Sequence, residues 1–203
     1  MEAGRPRRRP FLFYMNFLLL THGAGSNRNA PLLVELQNAF SEQKIEVIRY
    51  DLPFRQDRPH GPPRPADAAR DREGLHTQIV KLRDQHPEKI WLGGHSYGGR
   101  QASMLAADIP GLVDGLLLLS YPLHPPGKPL QLRTAHFPKL NIPSLFVHGS
   151  KDPFASSDEL KTAIALILAP VQLLEIEGAG HDLGRNHTAL AAQIASSFVQ
   201  LHL

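Results

Sequence analysis

Residues 90–105 read IWLGGHSYGGRQASML. A short apolar run ends in Gly93 and Gly94, Ser96 follows one residue later, and Gly98 and Gly99 lead into a helix-forming segment. Gly94-x-Ser96-x-Gly98 has the spacing of an elbow that holds a serine on a strained strand-to-helix turn, its hydroxyl exposed at the end of the strand. The glycines have a steric task there, because flanking positions come too close to neighbouring chain for side chains. Short glycine–serine patterns recur by chance. The weight here comes from position, between a strand-like and a helix-like segment.

Working outward, FLFYMNFLLL (11–20), IEVIRY (45–50), KIWLGG (89–94), DGLLLLS (114–120), SLFVHG (144–149) and VQLLEIE (171–177) read as six strands. They are near-continuous apolar runs, the pattern of strands buried on both faces of a parallel sheet. Helical spacing recurs between them. It covers 30–43 with Asn29 as cap, about 66–86, 97–109, 156–168 capped by Ser156 or Ser157, and 187–203. Five prolines between 51 and 65 predict a loop without regular structure. Residues 121–143 read as a second long loop. The expected fold is α/β, with about six mostly parallel strands and helices on both faces. No repeat and no linker divides the chain, so 1–10 reads as a basic tail and 11–203 as a single domain.

Composition narrows the functional classes. The chain has 203 residues, 42% of them hydrophobic and 20% charged, an ordinary globular balance. The net charge of +3 owes much to RPRRRP (5–10), which reads as a solvated terminus, so no nucleic-acid partner is expected. No apolar run reaches the roughly 20 residues of a membrane span. RPRRRPFLFYMNFLLLTHGAG has the outline of a secretory leader. It runs straight into HGAG, however, and cleavage there would remove a strand the fold needs, so the strand reading is preferred. The absence of cysteine excludes disulfides, thiolate metal sites and a cysteine nucleophile. It also fits a reducing compartment, and a cytoplasmic location is the expectation. The histidines have no metal-ligand spacing, and neither a metal nor another cofactor is expected.

In an open parallel sheet the working residues collect beyond the carboxyl ends of the strands. Those ends carry THGAGSN (21–27), the elbow, HGSKDPF (148–154) and EGAGHDLG (177–184). A serine hydroxyl needs an adjacent base, and the base needs a third group to fix its tautomer and steady its charged form. Ser96, Asp152 and His181 occur in the order nucleophile, acid, histidine, the order expected when a G-x-S-x-G elbow carries the nucleophile. The amides of Tyr97 and Ala24 are the candidate oxyanion donors, with Gly23 and Gly25 allowing the loop to come close. Phe54, Arg55, Tyr121 and His124 are candidate substrate-binding residues. Arg55, with Arg58 and Arg64, offers attraction for an anionic substrate. His22, His95 and His148 read as structural, Asp158 and Glu159 as first-turn helix residues, and His187 as part of the last helix.

On these motifs the chain resembles the α/β-hydrolase superfamily over about residues 11–203. THGAG, YDLPF (50–54), LSYPLHPPGKP (119–129) and LFVHGSKD (145–152) look more narrowly like the short dienelactone-hydrolase-related proteins grouped with testis-expressed protein 30. The resemblance implies a minimal hydrolase sheet of order 2-1-3-4-5-6. Only residues 121–143 separate the fourth and fifth strands, too few for a lid domain. Together these readings lead to a serine hydrolase acting on a small-molecule ester or thioester through an acyl-enzyme. The alternatives are a binding or scaffold protein on the same fold, since fold alone does not license activity, and an acyltransferase or peptidase on the same three residues. Dienelactone hydrolases proper use a cysteine nucleophile, so that activity is not expected here.

Overall fold

A computed structural model describes residues 16–203. The basic tail, and residues 11–15 of the expected first strand, lie outside the described residues. Six strands, β1 (Asn16–Thr21), β2 (Ile45–Tyr50), β3 (Ile90–His95), β4 (Leu116–Leu119), β5 (Ser144–Gly149) and β6 (Val171–Ile176), form one parallel sheet in the order β2-β1-β3-β4-β5-β6. The helices are α1 (Pro31–Glu42), α2 (Pro53–Asp57), α3 (Asp67–Arg83), α4 (Tyr97–Asp108), α5 (Ser157–Ile164) and α6 (His187–His202).

The run Phe17-Leu18-Leu19-Leu20 shows why the strands do not alternate. Phe17 and Leu19 enter the core beneath α3, α4 and α5, with Leu75, Ile79, Ala102, Leu105 and Leu160. Leu18 and Leu20 enter the opposite core, with Leu33, Leu36 and Phe40 of α1 and Ile194 and Phe198 of α6. Each residue is fully buried whichever way it points, contributing about 1.5–3 kcal/mol of hydrophobic transfer energy apiece. On the second face Phe198 meets Trp91 and Phe40 edge-to-face, at ring separations of 5.4 and 5.2 Å. Among the described residues no helix is long and apolar enough to cross a membrane.

Two local readings need correction. The proline-rich segment is not wholly irregular. Pro53 occupies the first turn of α2, where a missing N–H costs nothing, and the next four residues carry no proline. Asn29 does not cap α1. The cap position is Ala30 with Pro31 behind it, while the Asn29 carboxamide accepts a hydrogen bond from Arg49 at 3.2 Å. Ser156, by contrast, closes a full capping box with Glu159 at the start of α5. Residues 121–143 contain only a short 3-10 turn, Phe137–Lys139, whose phenylalanine packs down into the first core.

Candidate active site

The parallel sheet sets the loops after β1, β3, β5 and β6 along one edge. Between β3 and α4, Ser96 has φ 50° and ψ −114°, a conformation costing on the order of 1–3 kcal/mol for a non-glycine residue. It is held by its own N–H, which donates to Leu119 O at 2.8 Å, and by the helix that starts at Tyr97. A Cβ on Gly94 would lie 2.6 Å from the Gly98 carbonyl carbon, and one on Gly98 would lie 2.5 Å from His22 O. Crowding therefore demands both glycines. In the loop after β1 it demands Gly23, where a Cβ would meet His95 Nδ1 at 2.8 Å, but not Gly25, which faces open space.

Ser96 Oγ lies 2.8 Å from His181 Nε2, and His181 Nδ1 lies 2.8 Å from Asp152 Oδ2. With Nδ1–H donating to the carboxylate, Nε2 is left as an acceptor for the serine hydroxyl. The second Asp152 oxygen accepts the Phe154 N–H at 2.9 Å, and the Phe154 ring lies over the His181 imidazole at 4.2 Å. His95 donates Nε2–H to the His181 carbonyl at 2.8 Å. Burial pushes the His95 pKa down to about 4, so it supports the loop as a neutral ring. His148 donates to Ala155 O at 3.1 Å and braces the turn that presents Asp152. Both the side chain and the backbone of His181 are thus held.

The amides of Tyr97 and Ala24 have no protein acceptor among the described residues. The loop carrying Ala24 is clamped from two sides. His22 donates Nδ1–H to Gly23 O at 2.8 Å and accepts the Leu52 N–H at 3.2 Å, an arrangement only the neutral ring permits; burial lowers its pKa accordingly. Arg55 donates to Ser26 O, Ala24 O, Arg58 O and Gly61 O at 2.7–3.0 Å. On the elbow side, the Tyr97 phenol donates to Asp71 at 2.7 Å, and the other Asp71 oxygen accepts the Phe54 N–H at 2.9 Å. Burial raises the pKa of both Asp71 and Tyr97.

The four candidate substrate-binding residues offer no open surface. Phe54 and Tyr121 are fully buried, the first against Tyr97 and the second donating its hydroxyl to Arg133 O at 2.7 Å. Arg55 spends its guanidinium on carbonyls. His124 is 5% exposed and bonds Pro125 O at 2.8 Å. The loops after β2 and β4 fold back onto the helices and take these side chains with them. Of the other loop arginines, Arg58 pairs with Asp67.

Open space lies on the other side. A cleft of about 330 Å3 runs between the start of α1 and the loop after His181, lined by Gly23, Ala30, Pro31, Leu32, Leu33 and His95. Sequence reasoning missed this cleft, because residues far apart in the chain form its walls. Asp71 was legible in principle: its spacing to Leu75, Ile79 and Leu82 places a carboxylate in line with the apolar stripe of α3. Phe154 carried no comparable signal.

The chain matches the alpha/beta hydrolase domain family over residues 14–196. Among solved structures it is similar to a dienelactone hydrolase from Anabaena variabilis, at 19% identity and TM-score 0.74, covering 95% of this chain and 89% of that one. Est1E from Butyrivibrio proteoclasticus also has TM-score 0.74, at 15% identity over 92% and 88% of the two chains. An alpha-beta serine hydrolase homologue from Coxiella burnetii has TM-score 0.72, at 17% identity over 91% and 85%. At these identities the likeness to the solved structures is one of fold.

Proposed function

The chain belongs to the alpha/beta hydrolase domain family, and from that premise we propose that it is a serine hydrolase cleaving a small or medium carboxylic ester or thioester. The observation that carries this reading is the continuous hydrogen-bonded run Ser96 Oγ–His181–Asp152, at 2.8 Å in each link, with Ser96 on a strained elbow. Ser96 Oγ attacks the substrate carbonyl carbon, and its proton passes to His181 Nε2. The carbonyl π electrons move to oxygen, and the amides of Tyr97 and Ala24, which have no protein acceptor among the described residues, bind the resulting oxyanion. The tetrahedral species collapses, the bond to the leaving oxygen or sulfur breaks, and His181 protonates the departing group. Water then attacks the acyl-enzyme with His181 again as base, releasing the acid and restoring Ser96. Asp152 holds Nδ1–H throughout and steadies the imidazolium.

The cleft beside Gly23 and His95 supports an acyl group of modest length, its volume being at the small end for ligand pockets. Residues 121–143 hold only a short 3-10 turn, whose Phe137 packs into the core, and form no lid domain, which supports a site without a large cap. A series of 4-nitrophenyl esters and acyl thioesters tests the reading. Turnover by the native chain and its loss by about 10³-fold or more in Ser96→Ala are expected. Equal turnover by both proteins would reject it.

A further inference from the structure

Asp71 is fully buried, yet neither arginine beside it in the chain pairs with it: Arg70 takes Asp57, and Arg72 donates to Gln101. Its two oxygens serve different parts of the molecule. Oδ2 accepts the phenol of Tyr97, on the first turn of α4, at 2.7 Å. Oδ1 accepts the N–H of Phe54, on the first turn of α2, at 2.9 Å. A carboxylate taken out of water without a cation is costly, so its place here needs a reason.

The reason begins with α2. This helix is five residues long and starts from Leu52, which has no side chain able to cap it. Pro53 has no N–H, and the N–H groups of Arg55 and Gln56 both donate to Leu52 O. The Phe54 N–H is therefore the one donor left open in the first turn, and Asp71 closes it from a different helix. Close packing brings the two helices into reach. Gly74 lies on α3 just after Asp71, and a Cβ there would stand 2.5 Å from Pro53 Cγ and 2.9 Å from the Tyr50 hydroxyl.

Helix α2 in turn holds the loop that carries Ala24. The Leu52 N–H donates to His22 Nε2 at 3.2 Å, and Arg55 donates to Ala24 O and Ser26 O at 2.8 and 2.7 Å. The Phe54 ring stands between the two loops, with the His22 and Tyr97 rings each 5.7 Å away. An unbroken run of contacts thus leads from Tyr97 through Asp71 and α2 to Ala24, the two residues whose amides are the candidate oxyanion donors.

We infer that Asp71 is a positioning residue for the oxyanion hole. It ties the elbow to α2, and so fixes where the Tyr97 amide stands relative to the Ala24 amide. An oxyanion needs both donors within about 2.7–3.1 Å at once. A bridge that couples their two loops therefore acts on the transition state and leaves substrate binding alone. The effect on turnover rests on the hydrolase reading; the coupling of the loops does not.

Kinetics on the 4-nitrophenyl esters, and amide hydrogen exchange on the same full-length proteins, test the inference. In Asp71→Ala, kcat and kcat/KM should fall together by about ten- to a hundred-fold with KM unchanged, the signature of a displaced transition-state donor. Tyr97→Phe cuts the same bridge at its elbow end while keeping the ring. It should lose activity in the same way, and should cost little more when added to Asp71→Ala. Asp71→Asn should recover most of the activity, because its carboxamide offers an acceptor to the Phe54 N–H and a donor to the Tyr97 oxygen. Exchange supplies a readout free of catalysis. The Ser26 N–H bonds Gly23 O and the Leu52 N–H bonds His22. Both should exchange faster in Asp71→Ala and in Tyr97→Phe, and at the native rate in Asp71→Asn. If the native chain turns over no ester, the hydrolase reading fails and exchange still decides the bridge. Four results would overturn it: a loss carried by KM, additive losses from the two substitutions, an Asp71→Asn chain as impaired as Asp71→Ala, or native exchange at Ser26 and Leu52 in both bridge-cutting variants.

Discussion

The two flanks of Ser96 are built differently. On the α1 and α6 flank, the loops after β1 and β6 are rich in glycine and small residues, and they leave a cleft of about 330 Å3. On the α4 flank, Tyr121, Phe137 and Phe146 pack tilted or edge-on at ring separations of 5.2–5.9 Å. Further along the same segment, Pro129, Leu130, Leu132 and Thr134 line a separate cavity of about 490 Å3 against α5. Under the proposed hydrolase reading, the flank with the cleft is the one that offers room for an acyl group.

The largest effect that could break this contrast is electrostatic stability. His95 on the open flank and His136 on the closed one are both pushed down to about 4, chiefly by burial, from an ordinary value of 6.5. Between those values the unfolded chain holds more protons. Stability is therefore full above pH 6.5 and is lost as pH falls toward 4, each ring contributing at most about 1.4 kcal/mol per pH unit. Urea unfolding at several pH values should show a shallower acid limb in both His95→Gln and His136→Gln. A flatter limb in one variant alone would mean that only that flank is dry.

A smaller effect sharpens the size argument. Ala30 sits in extended backbone at the cleft wall, so Ala30→Trp fills space without straining the chain. The octanoyl-to-acetyl ratio of kcat/KM should fall by about 10–200-fold, the range for steric selection in an apolar pocket. An unchanged ratio would place the acyl chain elsewhere.

Much of this architecture could be read before any coordinates. Runs such as Phe17–Leu20 reveal burial on both faces because every position is apolar. Gly94 and Gly98 reveal a close approach because a Cβ would meet backbone at 2.5–2.6 Å. The serine, aspartate and histidine at strand ends were legible because a parallel sheet gathers those ends whatever the loops do. The loops themselves were not. Arg55 looked like an anion hook, but it reaches carbonyls up to 31 residues away that only the folded chain supplies. Side chains whose role depends on distant loops carry no local periodicity to betray them.

The central claim is that Ser96 is an activated nucleophile. Treating the folded chain with a fluorophosphonate and mapping the modified peptide by mass spectrometry tests it without knowledge of the substrate. The account predicts a single adduct on Ser96, absent in Ser96→Ala and formed far more slowly in His181→Ala. A folded chain that takes no label, or takes it equally in Ser96→Ala, would contradict it.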